Sequence, residues 1–255
     1  MSSSLLQQKF VLLGLFGLLL GGCGVSGRRD SGVMMGSSVG SSEGDVSRGM
    51  GGPGDTPIFF RAPASQGTGC HSASADQRCL ALKYVVYNDA EGNPVVSLDQ
   101  AKQNLARINE LWNPCSIHFE LAQYLPVDPL QYHLQFRPAD DSELDDIRGA
   151  FMVQDKLLVV TTGKWDRSGS LGNTGANAWT SMPGERFYGA VLESEVGTFS
   201  NIIAHELGHY MSLDHVRDSS DLMNPIIYDE SIYLSKKQCR YALSTVEDFW
   251  KSTLR

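Results

Sequence analysis

His205-Glu206-Leu207-Gly208-His209-Tyr210-Met211-Ser212-Leu213-Asp214-His215 is the stretch from which the rest of this chain is read. Its first five residues have the pattern H-E-x-x-H. On a helix, His205 and His209 stand at i and i+4, so both imidazoles leave the same face. Zinc takes nitrogen ligands at about 2.0–2.1 Å in a tetrahedron, and a catalytic site keeps one position open. Two histidines do not complete that shell, and His215 is the natural third ligand. At about 1.5 Å of rise per residue, an unbroken helix carries His215 roughly 9 Å past His209 and onto another face. One ion cannot reach both. The helix is therefore predicted to stop between His209 and His215, with the chain folding back. Glu206 lies beside the site without being a ligand. Its carboxylate is placed to take a proton from the zinc-bound water, whose pKa the metal lowers towards about 7.

Beyond His215 the chain reads Asp221-Leu222-Met223-Asn224-Pro225. Three histidines and a glutamate in this register, followed by a methionine turn, resemble the signature of the metzincin zinc peptidases. The Leu-Met-x-Pro form of the turn is similar to that of the matrixin-like members. One position departs: Ser212 stands where the family has glycine, so a serine is expected in a left-handed turn that suits glycine better. The resemblance implies a zinc metalloendopeptidase acting on protein or peptide substrates. His205, His209 and His215 would be the zinc ligands, Glu206 the catalytic general base, and Met223 a packing floor beneath the metal. Pro225 to Tyr228 would line the substrate pocket, with Tyr228 as a transition-state donor. An edge strand within Ala176–Ser181 would pair with extended substrate by strand addition. Comparable loops of the family hold structural calcium, which makes the segment Gly163–Ala178, with Asp166, Asn173 and Asn177, a candidate for Ca2+. The alternative is a catalytically inactive relative, a lipoprotein that keeps the fold and binds a protein partner. The intact Glu206 speaks against it.

The N-terminal third has a different composition. Phe10 to Leu20 is an apolar run of eleven residues, too short to cross a bilayer of about 30 Å as a helix. Residues 1–22 read as a secretory signal peptide. They end in Leu20-Gly21-Gly22-Cys23, which resembles the bacterial lipobox and makes Cys23 the expected lipidation site. Residues 23–69 are rich in glycine and serine and show neither helix nor strand periodicity. They read as a flexible tether holding the next domain about 35–40 Å from the lipid. The chain is thus expected to be an exported lipoprotein of a bacterial cell envelope, anchored at the outer membrane or cell surface through its N-terminus. The formal charge of −8 argues against nucleic-acid binding, and no pattern in the chain speaks for an oligomeric state.

Residues 70–255 are the right length for one domain. Leu80–Tyr87 reads as a strand and Asn88–Pro94 as a turn. Ser97 and Gln100 form an expected capping box, followed by an apolar stripe of Ala101, Leu105, Ile108 and Trp112 on one helix face. Ser116–Leu121 alternates apolar and polar residues as a half-buried strand does. Leu157–Val160 is continuously apolar and suits a central strand. Ala176–Ser181 and Tyr188–Glu193 are weaker strands, and Thr198 is expected to open the zinc helix. Ser235 and Gln238 cap a final helix reaching about Ser252. Pro126–Gly149 reads as polar, acidic and loop-rich. The fold class is α/β (α+β): a mixed, twisted sheet with a zinc-binding helix and a C-terminal helix, similar to the metzincin catalytic domain. With Cys23 lipidated, Cys70, Cys79, Cys115 and Cys239 remain. Export permits two disulfides, and the favoured pairing is Cys70–Cys79 with Cys115–Cys239. His71, His118 and His133 lack motif partners and read as surface residues.

Overall fold

The computed structural model describes residues 77–255. The expected signal peptide, Cys23, the tether, Cys70 and His71 lie outside the described residues. Strand β1 (Arg78–Tyr87) runs between β2 (Ile117–Val127) and β3 (Leu157–Thr161), parallel to both. Short strands β4 (Ala178–Thr180) and β5 (Ala190–Leu192) complete a sheet of order β2-β1-β3-β5-β4. β5 is parallel to β3, whereas β4 runs antiparallel to β5 and forms one edge. The mixed α/β architecture is the one expected from the sequence.

The continuous apolar runs have a direct cause. A parallel sheet is covered on both faces, so both sets of alternating side chains need apolar surroundings. Leu80, Leu82, Tyr84 and Val86 of β1, with Leu157 and Val159 of β3, join the core on one face. Val85, Tyr87, Leu158 and Val160 join the core on the other. The first face carries α1 (Leu98–Trp112), α3 (Ser200–Tyr210) and α4 (Lys236–Phe249). Of the expected α1 capping box only half forms. Ser97 accepts from the Gln100 amide, while the Gln100 side chain turns to Asn104.

The second face corrects the sequence reading of Pro126–Gly149. β2 runs on to Val127, and an eleven-residue helix, α2 (Asp141–Phe151), occupies the end of the supposed loop. The Glu143 carboxylate accepts from the Asp140 and Ala139 amides and so closes the helix N-terminus. Leu144, Ile147 and Phe151 then turn one stripe into the second core. The acidic residues that made the segment look loop-like occupy the opposite, solvated face, where Asp141 and Asp145 stay exposed. No helix among the described residues is long and apolar enough to cross a membrane.

Cys115, which ends a short 3-10 turn after α1, is disulfide-bonded to Cys239 on α4, as the favoured pairing has it. Cys79 is also disulfide-bonded. His133 is exposed, and His118 is half-buried against Gln77 and Asn113. The Cys115–Cys239 link joins positions 124 residues apart. Replacing both by serine is expected to lower the unfolding free energy by about 2–5 kcal/mol, read from urea denaturation of the non-reduced proteins. An unchanged midpoint would show that the link adds nothing beyond the packing of α1 and α4.

Candidate metal centre

The helix bearing the H-E-x-x-H motif is held from three sides. The Trp112 indole N–H of α1 donates to the Ala204 carbonyl at 3.2 Å. At the other end, Trp250 Nε1 donates to the Tyr210 carbonyl at 2.6 Å. The Tyr210 hydroxyl donates to the Leu158 carbonyl and accepts from the Leu158 amide, which ties the helix to β3. Phe199, one residue beyond the expected Thr198, is the N-cap.

The helix stops as the ligand geometry requires. Met211 is its C-cap, and Ser212 adopts φ 57°, in the left-handed region. The Ser212 amide donates to His209 O at 2.9 Å and the Leu213 amide to Gly208 O at 3.0 Å. These are the paired bonds of a Schellman turn. The chain then doubles back and brings His215 over the helix. His205 Nε2 lies 3.1 Å from His209 Nε2 and 3.2 Å from His215 Nε2, and the latter two are 3.2 Å apart.

Two further contacts fix which nitrogen faces the centre. His205 Nδ1 donates to the Leu222 carbonyl at 2.7 Å, and His209 Nδ1 to the Leu213 carbonyl at 2.9 Å. A carbonyl can only accept, so each ring carries a proton on Nδ1, and in its neutral form it turns a bare Nε2 lone pair inward. Burial, and then the neighbouring His209 ring, push His205 down to about 3; burial likewise lowers His215. Lone pairs converging on one point repel unless a cation lies between them. Ligands about 2.05 Å from a tetrahedral ion stand about 3.3 Å apart, close to the separations observed. The three histidines form a group that can hold a metal ion, and they fit zinc in donor type, protonation and spacing.

The methionine turn supports this arrangement from below. Its Leu222 carbonyl is the acceptor that orients His205. Met223 is fully buried, and a Cβ added at Gly208 would collide with its Sδ and come within 3.0 Å of its Cε. A side chain at the second variable position of H-E-x-x-H would therefore have to displace the end of the Met223 side chain. Asp221 Oδ1 accepts from the Met223 amide and from Gln238 Nε2, fastening the turn to the start of α4.

Glu206 is buried beside the triad and accepts a hydrogen bond from the Thr180 hydroxyl at 2.6 Å. Burial raises its pKa, against which His209, the Thr180 bond and Arg148 act in the opposite direction. A cleft of about 360 Å³ opens above it, lined by His205, Glu206, His215, Ala178, Pro225 and Ile226 among others. Pro225 lines the same cleft as His205, Glu206 and His215. Tyr228 does not line this cleft. It lines the neighbouring cavity with Phe199 and Asp229, and the two spaces share Ile202 and Ile227. Thr180, Ala178 and Ile202 went unnoticed in the sequence. The strand period alone could have flagged the first two, because Ala178 and Thr180 fall on one face of β4.

The candidate calcium segment flanks the cleft through Thr174–Ala178. Arg167 sits among its acceptors. The guanidinium donates to the Leu171 and Ala176 carbonyls, to Asn177 Oδ1 and to the buried Glu193 carboxylate. Asp166 caps the Ser168 amide.

A family model described as matrixin matches residues 81–241, more than half of the chain. The crystal structure of metalloproteinase-II from Bacteroides fragilis is similar at 16% identity and a TM-score of 0.43. That match covers 65% of this chain and 53% of the other, so the chain spans about half the length of that protein. No curated protein matches the chain.

A left-handed serine costs about 1–2 kcal/mol relative to glycine. Ser212→Gly is therefore expected to raise the melting temperature of the zinc-loaded protein without weakening zinc binding. A fall in melting temperature would show that the hydroxymethyl group contributes more than its backbone strain costs.

Proposed function

The chain belongs to the matrixin family, and from that premise we propose that it is a zinc-dependent endopeptidase. The observation that carries the reading is the placement of a buried carboxylate, Glu206, beside three converging Nε2 atoms at the floor of an open cleft. His205, His209 and His215 hold the zinc. When bound, zinc supplies Lewis acidity, polarising a carbonyl and acidifying water. Burial keeps the proton affinity of Glu206 above that of an ordinary carboxylate, which suits a group that must accept a proton and return it. Glu206 takes the proton from the attacking water and delivers it to the leaving amine. The balance is one peptide bond broken, one water consumed, and a free carboxylate and amine formed.

The substrate is an extended peptide. β4 is a sheet edge beside the cleft, so its outer backbone can pair with a peptide strand. Pro225, Ile226 and Ile227 also line the cleft and favour an apolar substrate side chain. Met223 packs beneath the helix and keeps His205 in place through its neighbour Leu222. Cys23 carries a lipid that anchors the exported protein in the cell envelope, with residues 23–69 as its tether.

The purified protein is expected to bind close to one zinc and to cleave a peptide library. Glu206→Gln should keep the zinc and lose about 100-fold or more in kcat, whereas His205→Ala should lose the metal. Cleavage by Glu206→Gln at the parental rate would overturn the mechanism. Separately, Cys23→Ser should abolish lipidation and move the protein from the membrane fraction to the soluble one. A lipid-free mature protein by mass spectrometry of the parent would refute the anchor.

A further inference from the structure

The general base does not stand alone. Thr180 ends β4 and is 5% exposed, and Glu206 is 4% exposed. The Thr180 hydroxyl donates to Glu206 Oε2 at 2.6 Å in a fully buried contact. A threonine hydroxyl has one proton to give, and here it goes to the carboxylate. Oε1 receives no hydrogen bond among the described residues, although Glu206 lines the cleft. The carboxylate is thus pinned by one oxygen, with the other free to work in the cleft.

The strand that offers the hydroxyl is itself braced. Arg148 of α2 is 3% exposed, and its guanidinium donates to the Trp179 carbonyl and to the Gly189 carbonyl, both at 2.9 Å. Those carbonyls sit one residue before Thr180 and one before its β5 partner Ala190. A glycine is required at position 189, where φ is 157° and an added Cβ would come within 3.0 Å of both Arg148 and Leu158. Arg148 therefore holds the end of β4 against β5 at the level of the hydroxyl. Among the described strands, β4 has no neighbour on its outer side.

We propose that Thr180 is a positioning residue that orients the Glu206 carboxylate, so that the edge strand receiving the peptide also sets the direction of the general base. The proposal rests on the endopeptidase reading above. A hydroxyl bond to a carboxylate resists rotation about the last side-chain torsion of Glu206. Without it the carboxylate swings, and Oε1 leaves the line of the proton it must collect. Orientation of this kind raises kcat more than it tightens substrate binding.

The test compares Thr180→Val, which keeps the shape and removes the hydroxyl, with Thr180→Ser, which restores it. Zinc content and melting temperature are measured on each full-length protein, followed by kcat and KM on a peptide substrate. Affinity for acetohydroxamate is measured on the same zinc-loaded proteins, because a metal-chelating hydroxamate also shares a proton with the neighbouring carboxylate. Loss of a hydrogen bond to a charged group corresponds to about 10–100-fold. Thr180→Val is expected to lose that much in kcat at nearly unchanged KM and full zinc content, and to bind acetohydroxamate about 10-fold more weakly. Thr180→Ser should recover most of both. Parental kcat and hydroxamate affinity in Thr180→Val would overturn the proposal. So would an equal loss in the serine variant, or a loss that follows zinc content. If the parent binds zinc and hydroxamate but cleaves no peptide, the endopeptidase reading fails, and the hydroxamate comparison still decides the role of Thr180.

Discussion

Three imidazole lone pairs meeting within about 3.2 Å constrain everything around them. Each ring must be neutral, must carry its remaining proton on the outer nitrogen, and must be held there against the repulsion of the other two. For two of the three rings the fold meets those demands with backbone carbonyls. Leu213 O orients His209 from the turn that ends its own helix, and Leu222 O orients His205 from the methionine turn. Neither acceptor belongs to a regular element. Both loops are therefore parts of the candidate metal centre as much as the histidines are.

Holding those loops still requires a rigid frame, and the frame is built around one helix. α3 is tied to α1 by Trp112, to β3 by Tyr210 and to the segment after α4 by Trp250. The Asp221–Gln238 contact and the Cys115–Cys239 link draw α4, the methionine turn and the end of α1 together. Packing is close at Gly208, where the Met223 thioether occupies the space a side chain would take. Packing at that density transmits displacement, so changes well away from the ligands are felt at the Nε2 atoms. In the loop flanking the cleft, Arg167 gathers the Leu171 and Ala176 carbonyls, Asn177 Oδ1 and the Glu193 carboxylate around a fixed positive charge that cannot dissociate.

Much of this was legible along the chain. Helical spacing put His205 and His209 on one face, and the length of a helix required a turn before His215. The resemblance to the metzincin pattern, which has glycine at that position, pointed to Ser212 as the turn residue, and its φ is 57°. β1 and β3 announced themselves as long apolar runs because a parallel sheet is buried on both sides. α2 was misread. Its capping pair Asp140–Glu143 and its stripe of Leu144, Ile147 and Phe151 were diluted by acidic residues in a short segment, where composition outweighed period.

What the sequence determined by itself is therefore the local geometry: which residues share a helix face, where the helix stops, and which side-chain types gather to meet a metal. These follow from helix rise, backbone sterics and donor chemistry, all of which act over a few residues. Only the tertiary structure decided that Leu222 orients His205, that Met223 fills the space Gly208 leaves, that Thr180 bonds Glu206 and that Tyr228 faces a neighbouring cavity instead of the cleft. Each of those pairs joins residues 15 or more positions apart or depends on how two loops pack. No local periodicity encodes such a meeting, because it is set by the order of strands in the sheet and by the side chains that fill the space between them.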